Sequence, residues 1–212
     1  MTSFIDQDNA IDWVDTLSEK HYVIIENALT TEVLNGLVKA LNDRLEEDRF
    51  KKAAIGTMSQ KQIDRSIRGD NIFWLDKSSQ EFPIQSFFQL ADHIKQLLNR
   101  YCFLSLSDYE FHFAHYPIGT FYKRHLDQFQ GRDNRLISMV LYLNQYWKPD
   151  YGGGLKLFLE DKEHIIYPEF GRLVLFKSDL LEHEVMITRK DRFSITGWML
   201  YQPVGLGFLQ QY

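Results

Sequence analysis

Two residues apart in the stretch "YKRHLDQF", His125 and Asp127 form the pairing in this chain with the clearest chemical use. On a strand, a spacing of two points both side chains to one face while Leu126 packs the other way, so imidazole and carboxylate can converge on one ion. "KSDLLEHEVMIT" offers a third ligand in His183, beside the start of an apolar run. Two histidines and one carboxylate make the facial set that suits non-haem Fe(II), leaving coordination positions open for O2 and a co-substrate. Taken alone, a His-x-Asp pair is more often simply hydrogen-bonded. His112 and His115 lie in the same strand-rich region and are competing ligands, while His93 falls on a helical stripe and His21 and His164 at loop or strand ends. These five read more readily as structural.

A second pattern is "RKDRFSITGWML", in which Ser194, Thr196 and Trp198 share a strand face with Arg192, while Phe193, Ile195 and Met199 point the other way. A guanidinium buried in a barrel must pair, and its natural partner is a carboxylate held through two parallel hydrogen bonds. No acidic residue of the chain is obviously placed for it, so a ligand carboxylate is expected. In "LISMVLYLN", Ser138, Val140, Tyr142 and Asn144 share a face, which brings the Tyr142 hydroxyl toward the same carboxylate.

The elements that must position these residues fit one domain. A chain of 212 residues can bury one sizeable core. Hydrophobic residues at 44% and charged residues at 25% make the composition that of an ordinary globular protein. The opening "MTSFIDQDNAIDWV" has neither the basic nor the apolar region of a secretory leader, and no stretch reaches the length of a membrane span. A single cysteine, Cys102, excludes an internal disulfide and fits a reducing compartment, so a cytoplasmic location is expected. The net charge of -5 disfavours a broad nucleic-acid footprint.

Periodicity divides the chain into a helical/strand support region at 1–107 and a β core at 108–212, within one compact domain. "HYVIIENAL" reads as a short buried strand. Thr30 or Thr31 then caps a helix over 32–45, where Val33, Leu34, Leu37, Val38, Leu41 and Leu45 recur at helical spacing. "IQSFFQLADHIKQLLNRYCF" carries a second stripe through Phe87, Leu90, Ile94, Leu97 and Leu98. Between these, 51–67 is polar and aperiodic and reads as a mobile loop. From Asp108 onward about eight short aromatic and β-branched runs follow with no helix among them, the pattern of a sandwich or jelly roll. The fold class is therefore α+β, with a sandwich or jelly-roll β core and the N-terminal helices packed outside.

With His125, Asp127, His183 and Arg192 in that order, the chain resembles the 2-oxoglutarate and Fe(II)-dependent oxygenases, and within them the prolyl 4-hydroxylase family. The matching stretches are "YPIGTFYKRHLD", "MVLYLN", "GGGLKLF", "GRLVLFKSD", "HEV" and "RFSITGWML". "RSIRGDNIFWL" is similar to a segment of the oxygen-sensing prolyl hydroxylases that follows a flexible loop closing over substrate. The resemblance implies that the core is a double-stranded β-helix (jelly roll) and that His125, Asp127 and His183 are catalytic metal ligands. It also implies that Arg192 binds the distal carboxylate of 2-oxoglutarate with help from Tyr142 and Thr196, in a pocket lined by Tyr116, Tyr122, Val140, Leu155 and Trp198. Arg68, Asp70 and Arg135 would stand at the substrate entrance, with an ion pair between Asp70 and Arg135 anchoring the loop.

The implied reaction is hydroxylation of a substrate C–H bond coupled to oxidation of 2-oxoglutarate to succinate and CO2. The implied substrate is a prolyl residue of a protein or peptide, with Fe(II) as cofactor and ascorbate as a further candidate. Two features depart from the family: the turn between Tyr116 and Tyr122 is tighter than the glycine-rich version of the oxygen-sensing enzymes, and 51–67 shares little with their loop. The same chemistry on a free amino acid or small metabolite is the nearest alternative. A non-catalytic 2-oxoglutarate or metal sensor is the alternative from another class, and the complete triad with its arginine speaks against it. Nucleic-acid demethylation fits the acidic charge poorly, and a zinc hydrolase would leave Arg192 and Tyr142 without a common task.

Overall fold

The strands Leu106–Tyr116, Arg135–Tyr142, Leu173–Lys177 and Arg192–Tyr201 are buried on both faces for most of their length, so their sheet must lie between two other layers. The computed structural model describes residues 7–53, 64, 66–128 and 134–201. Most of the loop expected at 51–67 lies outside the described residues.

Three helices precede the main strands: α1 (Gln7–Lys20), α2 (Thr31–Glu46) and α3 (Phe82–Cys102). The α2 helix starts where expected, with the Thr30 hydroxyl accepting from the Val33 amide, and it buries Val33, Leu34, Leu37, Ala40 and Leu41. Pro83 opens α3, which buries the expected stripe of Phe87, Leu90, Ile94, Leu97 and Leu98. Phe103 stops it in the left-handed conformation.

The strands are β1 (Tyr22–Ile25), β2 (Lys51–Lys52), β3 (Asn71–Trp74), β4 (Leu106–Tyr116), β5 (Tyr122–His125), β6 (Arg135–Tyr142), β7 (Leu155–Phe158), β8 (Glu163–Ile166), β9 (Leu173–Lys177), β10 (His183–Val185) and β11 (Arg192–Tyr201). They form a seven-stranded sheet in the order β1-β9-β6-β11-β4-β3-β2 and a four-stranded sheet in the order β5-β10-β7-β8. All pairings are antiparallel. Strands β1, β2 and β3 come from the first half of the chain and extend the large sheet at both edges.

One face of the large sheet packs under the helices, where Phe111, Phe113, Ile137, Met139, Leu141, Leu173, Leu175, Ile195 and Met199 meet the helical stripes. Burial of each such side chain contributes about 1.5–3 kcal/mol. The opposite face turns toward the small sheet, with Val140, Tyr142, Val174 and Phe176 against Leu155, Leu157 and Ile166. Helices thus cover one side of a two-sheet β core, as expected. No helix of the described residues is long and apolar enough to cross a membrane.

Candidate active site

The cleft between the two sheets receives the triad from the small sheet. His125 ends β5 and His183 begins β10, and the two face each other in register with ring centroids 4.2 Å apart. Asp127 follows β5 by two residues. Its Oδ1 lies 3.5 Å from His125 Nε2 and its Oδ2 3.5 Å from His183 Nε2. The three ligand atoms fall within 4.8 Å of one another, the one such group of histidine, cysteine and acidic side chains among the described residues.

Neighbouring backbone fixes which nitrogens face inward. His125 Nδ1 lies 2.7 Å from the Lys123 carbonyl and His183 Nδ1 lies 3.0 Å from the Leu181 carbonyl. A carbonyl only accepts, so each Nδ1 carries its proton and each Nε2 keeps a lone pair for a metal. Burial pushes Asp127 toward protonation, but His183, His125 and the Ser138 hydroxyl together hold its carboxyl well below the usual range. Burial, with the neighbouring His125, lowers His183 to about 4. With Asp127 held as a carboxylate, His183 a neutral imidazole at neutral pH and both Nε2 atoms turned inward, the donor set fits Fe(II).

Ser138 donates to Asp127 Oδ2 at 2.6 Å and is itself 2.8 Å from Ser178 Oγ. Sequence reading placed Ser138 on the right face without seeing its task, and passed over Ser178. The signal for Ser178 was its place in "KSD", one residue past β9 and ahead of the loop that delivers His183.

Arg192 is almost fully buried at the start of β11. Its Nε donates to the Gly153 carbonyl at 2.9 Å, and its guanidinium lies 4.9 Å and 5.0 Å from the ring centroids of Tyr116 and Tyr142. No carboxylate of the described residues lies within ion-pair distance of it. The buried Tyr142 hydroxyl stands beside the Arg192 guanidinium and finds no other hydrogen-bond partner among the described residues. A confined cation beside an unmet hydroxyl is the complement of a ligand carboxylate. Thr196 shares the Arg192 face and bonds Ser194 at 3.0 Å. Val140 and Leu155 pack with Tyr142 from opposite sheets, and Tyr122 stacks on the His125 ring at 3.6 Å. Trp198 stands apart from Arg192, six residues along β11, with the Arg135 guanidinium 3.3 Å over its ring.

The expected ion pair between Asp70 and Arg135 does not form. Asp70 accepts two bonds from Arg68, at 2.8 and 2.5 Å. Arg135 donates to Glu110 at 3.2 and 2.6 Å. Register explains the exchange: Glu110 faces Trp198 across β4 and β11, and Arg135 pairs with Leu200 nearby, so Glu110 and the indole face are the first partners it meets. Arg68 also lies over Tyr122, at 4.4 Å, so the entrance residues do gather beside the triad.

Comparison with known proteins agrees with this geometry. Residues 111–200, which carry the triad and Arg192, match the model of the 2OG-Fe(II) oxygenase superfamily. A human protein named prolyl hydroxylase EGLN3 is 36% identical over 145 residues, covering 63% of this chain and 59% of its own length. The chain thus spans 59% of that relative. A Pseudomonas putida prolyl-4-hydroxylase structure is 34% identical with a TM-score of 0.83, covering 92% of this chain and 100% of that one. A Trichoplax adhaerens prolyl hydroxylase, solved with a hypoxia inducible factor oxygen degradation domain peptide fragment, is 27% identical with a TM-score of 0.83, covering 91% and 89%. Sharing a fold and a third of its residues with a relative matched along its whole length, and carrying the family's signature over the strands that build this cleft, the chain belongs to the 2OG-Fe(II) oxygenase superfamily.

Proposed function

We propose that the chain is an Fe(II)- and 2-oxoglutarate-dependent dioxygenase that hydroxylates a prolyl residue of a protein. The observation that carries the reading is the shared cleft: a histidine, aspartate and histidine triad with both Nε2 atoms turned inward, and a buried arginine that meets no carboxylate among the described residues. The prolyl substrate is supported by what the relatives are named for and by the peptide bound to one of them. When bound, the iron and 2-oxoglutarate together with O2 supply the oxidising power for the C–H bond, with succinate and CO2 as co-products.

The chain's own residues position and shield. His125 Nε2, Asp127 and His183 Nε2 hold the metal, each fixed by a bond to Lys123, Ser138 or Leu181. Arg192, Tyr142 and Thr196 take the distal carboxylate, while Tyr116, Tyr122, Val140 and Leu155 keep water out. Trp198, Arg68, Asp70 and Arg135 border the substrate. We place the enzyme in the cytoplasm, a reading supported by its lone cysteine. Ascorbate is a further candidate cofactor, to be tested by omitting it from the assay.

The test is mass spectrometry of native-host proteins incubated with the enzyme, Fe(II) and 2-oxoglutarate, with Asp127→Ala as control. The expected result is a one-oxygen mass gain on proline that the variant abolishes. Full activity in Asp127→Ala would sink the ligand assignment, and succinate release without modified proline would move the substrate elsewhere.

A further inference from the structure

Among the described residues, three buried polar atoms on the cleft face of the large sheet form no well-made hydrogen bond: Tyr142 Oη, His112 Nδ1 and Trp198 Nε1. The first lies beside Arg192 and is accounted for by the 2-oxoglutarate site. The other two belong to a different part of the wall. His112 alternates with Phe111 and Phe113, which face the helices, so it shares the cleft face with Ala114 and Tyr116. Its ring is only 2% exposed, held between Trp74 at 4.9 Å and Trp198 at 5.7 Å. Trp198 in turn faces Ser138, the residue that orients Asp127, so the two unmet nitrogens stand level with the triad. Trp74 is 48% exposed, so the wall runs from the triad to the surface.

We propose that His112 is a specificity-determining residue that hydrogen-bonds a substrate peptide group beside the target proline, with the Trp198 indole N–H as its companion, an inference that rests on the prolyl reading above. A buried polar atom in a wall otherwise satisfied calls for a partner. An indole N–H only donates, and a neutral imidazole offers one donor and one acceptor. Together they match a peptide group, which has one C=O and one N–H, better than a C–H substrate with neither. The imidazole is neutral at working pH, since burial and then the charge of Arg68 bring it to about 3. His112 is thereby a feature of substrate recognition rather than a competing metal ligand, and it lies outside the ligand cluster.

The experiment uses the peptide that the wild-type enzyme modifies in native-host extract. His112→Phe keeps a ring between the two indoles and removes both nitrogens, while His112→Asn restores an amide near the Nδ1 position. The expected result is a roughly tenfold rise in KM for the peptide in His112→Phe with kcat within about twofold, most of it recovered in His112→Asn. KM for 2-oxoglutarate and the calorimetric affinity for Mn(II) stay at wild-type values in both. If the phenylalanine variant fails to fold, His112→Met takes its place, unbranched and without a hydrogen-bonding nitrogen. An unchanged peptide KM overturns the inference. So does a loss that asparagine does not restore, or one accompanied by altered 2-oxoglutarate or Mn(II) affinity, because either makes the role structural. A wild-type enzyme that releases succinate but modifies no proline removes the prolyl reading and this inference with it, and is told apart by needing no variant.

Discussion

A buried guanidinium is costly unless an opposite charge meets it, and among the described residues Arg192 donates to the neutral Gly153 carbonyl and meets no carboxylate. Its flanking rings, Tyr116 and Tyr142, supply attraction through their faces but no counter-charge. The residue therefore contributes most when a ligand carboxylate is in place. Arg192→Ala should raise KM for 2-oxoglutarate on the order of tenfold to a hundredfold, since a hydrogen bond to a charged group is worth about 1.5–3 kcal/mol. The peptide KM should change little. Steady-state kinetics with each substrate varied in turn checks this, and an unchanged 2-oxoglutarate KM would remove Arg192 from that role.

At the scale of elements, one backbone contact ties β11 to the loop before β7. Gly153 has φ +64°, and a Cβ there would come within 3.0 Å of Thr188 Oγ1 and 3.2 Å of Arg192 Cδ. Gly153→Ala should lower stability by about 1–2 kcal/mol for the left-handed backbone, and it should push Arg192 off its carbonyl. The expected signature is a severalfold higher KM for 2-oxoglutarate with kcat nearly kept; kinetics alongside denaturant melts would reveal it, and a variant that melts early but keeps its KM would detach the glycine from the site. The three glycines at 152–154 were legible as a family stretch, yet their reason was not, because only the folded chain shows what a Cβ would strike.

The same boundary separates what the sequence made legible elsewhere in these elements. Spacing of two along a strand put Arg192 with Thr196 on one face, because side-chain direction in a strand is a local property. Asp127, by contrast, stands in a bend two residues past the end of β5, so it meets His125 through that bend and not through strand alternation. The helical stripes of α2 and α3 were equally local. By contrast, the exchange of partners at Arg135 depends on the register of β4, β6 and β11, which are joined across long separations. Ser178 reaching Ser138 depends in the same way on β6 lying beside β9. Strand β3 was quoted as a motif, but its place at the edge, with Trp74 against His112, is a tertiary fact.

For the whole molecule, two imidazoles buried as neutral bases set the response to acid. The ordinary histidine value is 6.5, while His183 is held at about 4 and His112 at about 3. Burial is the leading cause in both. A lowered value means that the unfolded chain binds the proton first, so these groups contribute fully above about pH 6.5 and the contribution is lost as pH falls toward 4 and then 3. Asp127, held below the usual carboxylate range, acts in the same direction at still lower pH: its contribution is present above the unfolded carboxylate value and fades as acid protonates the folded group. Each imidazole is worth on the order of 3–5 kcal/mol across its whole window. The metal-free protein should therefore show a urea midpoint lower by roughly 1 M or more at pH 4.5 than at pH 7. Mn(II) should raise the midpoint at pH 7, because it binds the folded triad and not the unfolded chain, and should raise it less at pH 4.5, where protons compete more strongly for the ligand atoms. Urea titrations at both pH values, with and without Mn(II), measure all four quantities; a midpoint independent of pH would mean that His183 and His112 are not held as neutral buried bases.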